Sequence, residues 1–116
     1  MSQVTIYHNP RCSKSRQTLS LLEEKGIEPD VVLYLETPPE PATIAKLLET
    51  LDLSARQLMR QKEAPYQLQG LDNPTRTEAE LIAAMHEYPI LIERPIVVVG
   101  DRAAIGRPPE NVLKLL

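Results

Sequence analysis

One cysteine and neither phenylalanine nor tryptophan occur among the 116 residues, and each shortage closes off a class of function. A lone cysteine cannot build a disulfide framework, and with only two histidines beside it the chain lacks donors for a Cys/His-type zinc site, so no metal is expected. Tyrosine supplies the whole aromatic content, with four residues, too few for a surface on which bases stack. The net charge is -3 and both signs are mixed along the chain rather than gathered into a basic stripe, so nucleic acid is not an expected partner. No apolar run approaches the roughly 20 residues that cross a bilayer. The start, MSQVTIYHN, lacks the charged, apolar and small-residue segments of a secretory leader, which points to the cytoplasm and away from membranes.

A chain of this length suffices for a single domain over residues 1–116, burying about two-thirds of its unfolded surface without a cross-link. VTIYH alternates apolar and polar residues as a strand does, and Asn9-Pro10 then opens a turn. From Ser13 the spacing becomes helical, with Leu19 and Leu22 on one face and Gly26 as a stop. DVVLYL reads as a second strand, buried on both faces and parallel to the first. Ile44, Leu47, Leu48 and Leu51 mark one face of an amphipathic helix. Ser54 with Gln57 predicts a capping box for a short helix carrying Leu58, Met59 and Arg60, and Thr77 with Glu80 predicts another. Between them APYQLQGLDNPTRT reads as loop. The helical character of residues about 40–88 gives way to a hairpin with Gly100-Asp101 in a type II′ turn, then to a closing helix, PENVLKLL, begun by Pro109. The expected fold class is α/β: four strands in one sheet, with a helical insertion.

The thiol falls at the first helix entrance, in HNPRCSKSR. Unpaired N–H groups and the positive end of the helix macrodipole favour thiolate there, and Arg11, Lys14 and Arg16 add cations. His8, leaving the first strand, is placed to face the same point. A lower pKa by itself gains little, because nucleophilicity falls with basicity along a Brønsted slope of about 0.4–0.5. Rate must come mainly from holding the electrophile, and the N–H groups after Cys12 suit an oxyanion. The competing reading is an inert cap residue within a solvated basic face.

The spacing also excludes reactions. The fourth position of a C-x-x-C dithiol is Ser15, so any disulfide at Cys12 needs a thiol from another molecule. Six residues after Cys12, where a cysteine phosphatase needs arginine, stands Thr18. His86, late in a helical pattern, is accounted for by the C-terminal dipole.

YHNPRCSKSRQTL, YLETPP, APYQ, HEYPILIERPIVV and IGRPPENVL, in this order and spacing, resemble the glutaredoxin-coupled arsenate reductase family through almost the whole chain. The resemblance implies a thioredoxin-like four-stranded mixed sheet with a helical insertion, Cys12 as catalytic nucleophile, and His8 and Ser15 as residues that activate it. It further implies that Arg60, Arg94 and Arg107 bind the oxyanion and that Pro95 sits in cis form beside the active cysteine. Arsenate would be the substrate and glutathione a co-substrate, with glutaredoxin as partner and no bound cofactor. Bringing a dianion to a thiolate gathers like charges that repel by several kcal/mol at about 4 Å and an effective dielectric near 20. Three guanidiniums would offset this, each presenting a planar fork to a tetrahedral anion. Two further readings stay open: a glutathione-dependent thiol or disulfide reductase acting on another electrophile, and a non-catalytic thioredoxin-like regulator.

Overall fold

The computed structural model describes residues 3–116. Contacts group the chain into two compact units, one formed by the N-terminal segment to Thr37 together with Arg94–Leu116, the other by Pro38–Glu93.

The first unit is built on strands β1 (Val4–Tyr7), β2 (Asp30–Val32), β3 (Ile96–Val99) and β4 (Arg102–Ile105), in the order β2-β1-β3-β4. β1 runs parallel to β2 and antiparallel to β3, and β3 runs antiparallel to β4, so the sheet is mixed. Helix α1 (Ser13–Glu24) makes the parallel crossover, and Gly26 ends it at a φ of 78°, a left-handed backbone that glycine adopts without steric cost. Ile6, Leu22, Val97, Val112 and Leu115 form the core between the sheet, α1 and the C-terminal segment. The hairpin turns at Gly100 with a φ of 60° while Asp101 keeps a negative φ, the pattern of type II′ rather than I′.

One expectation fails in this unit. DVVLYL is not a doubly buried strand: β2 stops at Val32, lies at the sheet edge, and leaves Val31 45% exposed. Beyond it the N–H groups of Glu36 and Thr37 both donate to Leu33 O at 2.9 Å, and this turn buries Tyr34 instead. An apolar run does not reveal whether a strand has one neighbour or two. The closing helix forms where expected, over Pro109–Leu115 with Pro109 at its start, but it winds as 3₁₀, over a run longer than the usual three or four residues.

The second unit is helical: α2 (Pro41–Leu51), α3 (Ala55–Leu58), α4 (Ala64–Leu68), α5 (Glu78–Glu87) and a 3₁₀ turn at Pro89–Leu91. The α2 stripe is buried at Ile44, Leu47 and Leu48. Both capping boxes form, Ser54 with Gln57 and Thr77 with Glu80, each satisfying two N–H groups that a helix start leaves unpaired. α3 ends at Leu58, however, so Met59 and Arg60 lie beyond it in extended chain, where Met59 bridges antiparallel to Ile92. The stretch read as loop begins with α4, which buries Tyr66 and ends before Gly70 at a φ of 64°. Its single turn is too short to leave a periodic signal in sequence. His86 Nδ1 lies 2.9 Å from Pro39 O, a structural bond within this unit.

Candidate active site

Asn9 shapes the loop between β1 and α1. Its side-chain Oδ1 accepts from Arg11 N–H at 3.0 Å, its carbonyl accepts from Cys12 N–H at 3.0 Å, and its own N–H donates to Ser15 Oγ at 3.0 Å. An Asx turn and a β-turn are thereby superposed, and Pro10 occupies the second turn position, where its fixed φ suits the geometry. Arg16 Nη1 closes the outside of the turn by donating to Pro10 O at 3.0 Å. The half-buried Cys12 emerges as the N-cap of α1.

α1 is charged against its own dipole. No acidic residue stands in its first turn, which carries Lys14 and Arg16, and its last turn holds Glu23 and Glu24 without a basic residue. A helix stabilised by end charges has the opposite arrangement. Burial of Ser15, Thr18 and Leu22 along one face holds it instead, and its N-terminus stays open to an anion.

Burial pushes the Cys12 thiol up, but the N–H of Ser15, then hydrogen bonding and charge from Arg94, then the N–H of Lys14, outweigh it and hold the pKa below the ordinary thiol value. The sulfur makes no tight capping bond. These amides favour the thiolate through the partial positive charge at the start of the helix. Arg107 Nη2 donates to Cys12 Sγ at 3.4 Å, while Arg107 Nε donates to Arg94 O at 2.8 Å. Arg94 and Arg107, remote from Cys12 in sequence, thus serve one sulfur. Arg94 leads into Pro95 through a cis peptide bond, the form the resemblance implies; a second, at Arg107–Pro108, was not anticipated.

His8 and Ser15 are buried together, with His8 Nδ1 at 2.6 Å from Ser15 Oγ and His8 N–H donating to Val32 O at 2.9 Å. Burial, and secondarily the charge of Arg16, hold the His8 pKa below its ordinary value. A neutral imidazole therefore orients a hydroxyl that already accepts from the Asn9 amide, in the turn that carries Cys12. The sequence marks Asn9 as a turn former; its bonds to Arg11, Cys12 and Ser15 show in the structure.

Arg60 belongs to the second unit. Its Nη1 pairs with Glu93 at 2.6 Å and its Nε with Glu63 at 3.2 Å, while Arg60 N–H donates to Leu91 O at 2.7 Å. Burial works against its charge and the two carboxylates overcome that, raising its pKa. No spacing rule pairs residue 60 with residue 93; the Met59–Ile92 bridge does. Among the described residues no group of His, Cys, Asp and Glu is arranged to hold a metal.

Comparison with known proteins gives this constellation its lineage. Residues 7–115 match the ArsC family. The chain belongs to that family. It is 58% identical to the uncharacterised protein YfgD of Escherichia coli K12, with 98% of this chain and 97% of that protein covered. It is 53% identical to the arsenate reductase of Haemophilus influenzae, over 97% and 98% of the two chains. The arsenate reductase from Vibrio cholerae superposes with a TM-score of 0.96 at 50% identity, covering 99% of this chain and 98% of that one. The ArsC member described here thus has the thioredoxin-like α/β architecture expected of it, and among its described residues no helix is long and apolar enough to cross a membrane.

Proposed function

We propose that the protein is a cytoplasmic arsenate reductase in which Cys12 is the nucleophile and external thiols supply both electrons. The observation that carries this reading is the Cys12 sulfur at the mouth of α1, favoured as thiolate by Arg94 and accepting from Arg107 Nη2 at 3.4 Å. Cys12 attacks arsenic and one arsenate oxygen leaves as water, so a sulfur–arsenic bond forms with arsenic still As(V). Glutathione condenses at the same arsenic, again with loss of water. A glutaredoxin thiolate then attacks the glutathionyl sulfur. The new bond is a disulfide, and the electron pair of the broken sulfur–arsenic bond remains on arsenic, now As(III). Water releases arsenite and returns Cys12. The chain contributes one cysteine, so both other thiols come from partner molecules, and no bound cofactor takes part.

Arg94 and Arg107 are proposed to hold the oxyanion; for Arg60 that role rests on the family resemblance. Pro95, next to Arg94, is proposed as a structural neighbour of the site. His8 and Ser15 keep the turn and α1 entrance in register, which keeps the sulfur where the amides can act on it. Phosphate matches arsenate in shape and charge, but P(V) accepts no electron pair in the thiol step, so chemistry discriminates where binding does not.

Purified protein with glutathione, glutaredoxin, glutathione reductase and NADPH should oxidise NADPH only when arsenate is present, and Cys12→Ser should abolish the signal. Arsenate-independent turnover of a glutathione mixed disulfide by wild type, without arsenate reduction, would overturn this reading in favour of a general thiol reductase.

A further inference from the structure

Gly106 immediately precedes Arg107, and its φ is not among the positive values seen at Gly26, Gly70 and Gly100. Space, rather than a left-handed backbone, explains the glycine. A Cβ here would collide with Thr18 Oγ1, lie 2.8 Å from Pro95 Cγ and lie 3.1 Å from Thr18 Cγ2. Neither neighbour is the loose end of a flexible side chain. Thr18 is fully buried midway along α1, its hydroxyl donates to Lys14 O at 2.8 Å, and a β-branched side chain is stiff at χ1. Pro95 is a closed ring whose carbonyl accepts from Gly106 N–H at 2.9 Å.

The contact joins the pieces of chain that build the site: α1, which opens at Cys12, the Arg94–Pro95 segment, and the segment bearing Arg107. Arg107 folds back over the junction to reach Arg94 O and the sulfur. Its own backbone is held on both sides, with Arg107 N–H donating to Ile105 O at 2.9 Å and Asn111 Nδ2 donating to Arg107 O at 3.1 Å. A group added under Gly106 would press the Arg107 segment away from α1 and Pro95.

We propose that Gly106, seated against Thr18 and Pro95, is a positioning residue that sets where the Arg107 guanidinium stands relative to the Cys12 sulfur. A misplacement on the order of 1 Å can cost a site up to about a hundredfold in rate, and a 3.4 Å N–H···S contact has little length to spare.

The test uses Gly106→Ala and Thr18→Ile, which press on the contact from opposite sides, with Thr18→Ser as a control that keeps the hydroxyl, which also donates to Gly106 O at 3.5 Å, and adds no bulk. Alkylation of Cys12 by uncharged iodoacetamide is followed against pH, alone and with arsenate. In both pressing variants the profile should move to more alkaline pH, with alkylation on its acid limb about twofold slower, because the sulfur loses a cation. The arsenate concentration that halves alkylation should rise about fivefold for the same displacement. Thr18→Ser should follow wild type. A variant that melts cooperatively yet keeps the wild-type profile overturns the proposal. So does loss of folding in both variants, since the contact would then hold the fold rather than the guanidinium. The arsenate arm rests on the function proposed above, whereas the pH arm does not: absence of arsenate protection in wild type would count against that function and leave the pH comparison decisive here.

Discussion

Replacing Arg107 by alanine removes a guanidinium whose Nη2 lies 3.4 Å from the Cys12 sulfur. Unit charges at that distance attract by about 1 kcal/mol at the dielectric of water and about 5 kcal/mol at an effective value near 20. The sulfur is half-buried and Arg94 remains, so the lower part of that range applies, about 1–2 kcal/mol, or roughly 5- to 30-fold in the acid ionisation constant of the thiol. The direction is toward less thiolate at a given pH. The remaining thiolate is more basic and hence more nucleophilic, and a Brønsted slope of about 0.4–0.5 returns roughly two- to fivefold in intrinsic reactivity. Rates of alkylation by iodoacetamide, measured by stopped flow from acid to alkaline pH, should therefore cross. The variant should be about 2.5- to 6-fold slower on the acid limb and about two- to fivefold faster on the alkaline plateau. Arg107→Lys, which keeps the charge, should stay near wild type. Curves that run parallel, or a variant slower at every pH, would mean that Arg107 shapes access to the sulfur rather than its ionisation.

His8 has a lowered pKa in the folded chain, so the unfolded chain binds its proton first as pH falls. The stability it contributes is complete above the ordinary histidine value of about 6.5 and is lost on descending through that value toward the lower folded one. The difference in urea midpoint between wild type and His8→Asn should thus shrink from pH 8 to pH 5, and a constant difference would refute the linkage. Ser54→Ala, which removes the cap bond at 3.2 Å to Gln57 N–H, should cost about 1 kcal/mol in urea unfolding while leaving Cys12 alkylation unchanged.

Local rules worked wherever a residue answers to its near neighbours. Ser13, Gly26, both capping boxes and the Gly100 turn are such cases, because a helix end or a tight turn is decided within about one turn of chain. They failed where the deciding partner was remote. DVVLYL looks like an interior strand, yet its place at the sheet edge depends on where β3 and β4 pair. Arg60 read as part of a helix, yet the Met59–Ile92 bridge draws it out and pairs it with Glu93. The short α4 and the 3₁₀ winding near the C-terminus left no periodic trace that sequence reading can use.

The amino-acid order by itself determined that the only thiol caps a helix, that basic residues surround it, and that no second cysteine of the same chain can complete its chemistry. Those are consequences of spacing along a few turns of backbone. Only the tertiary structure decided which arginines face that thiol. Arg107 meets the sulfur 95 positions away because β3 and β4 pair beside β1, and because a glycine without a side chain lets its segment close on Thr18 and the ring of Pro95. Hydrogen-bond pairing across a sheet and excluded volume at a crossing act between segments that sequence distance leaves unrelated.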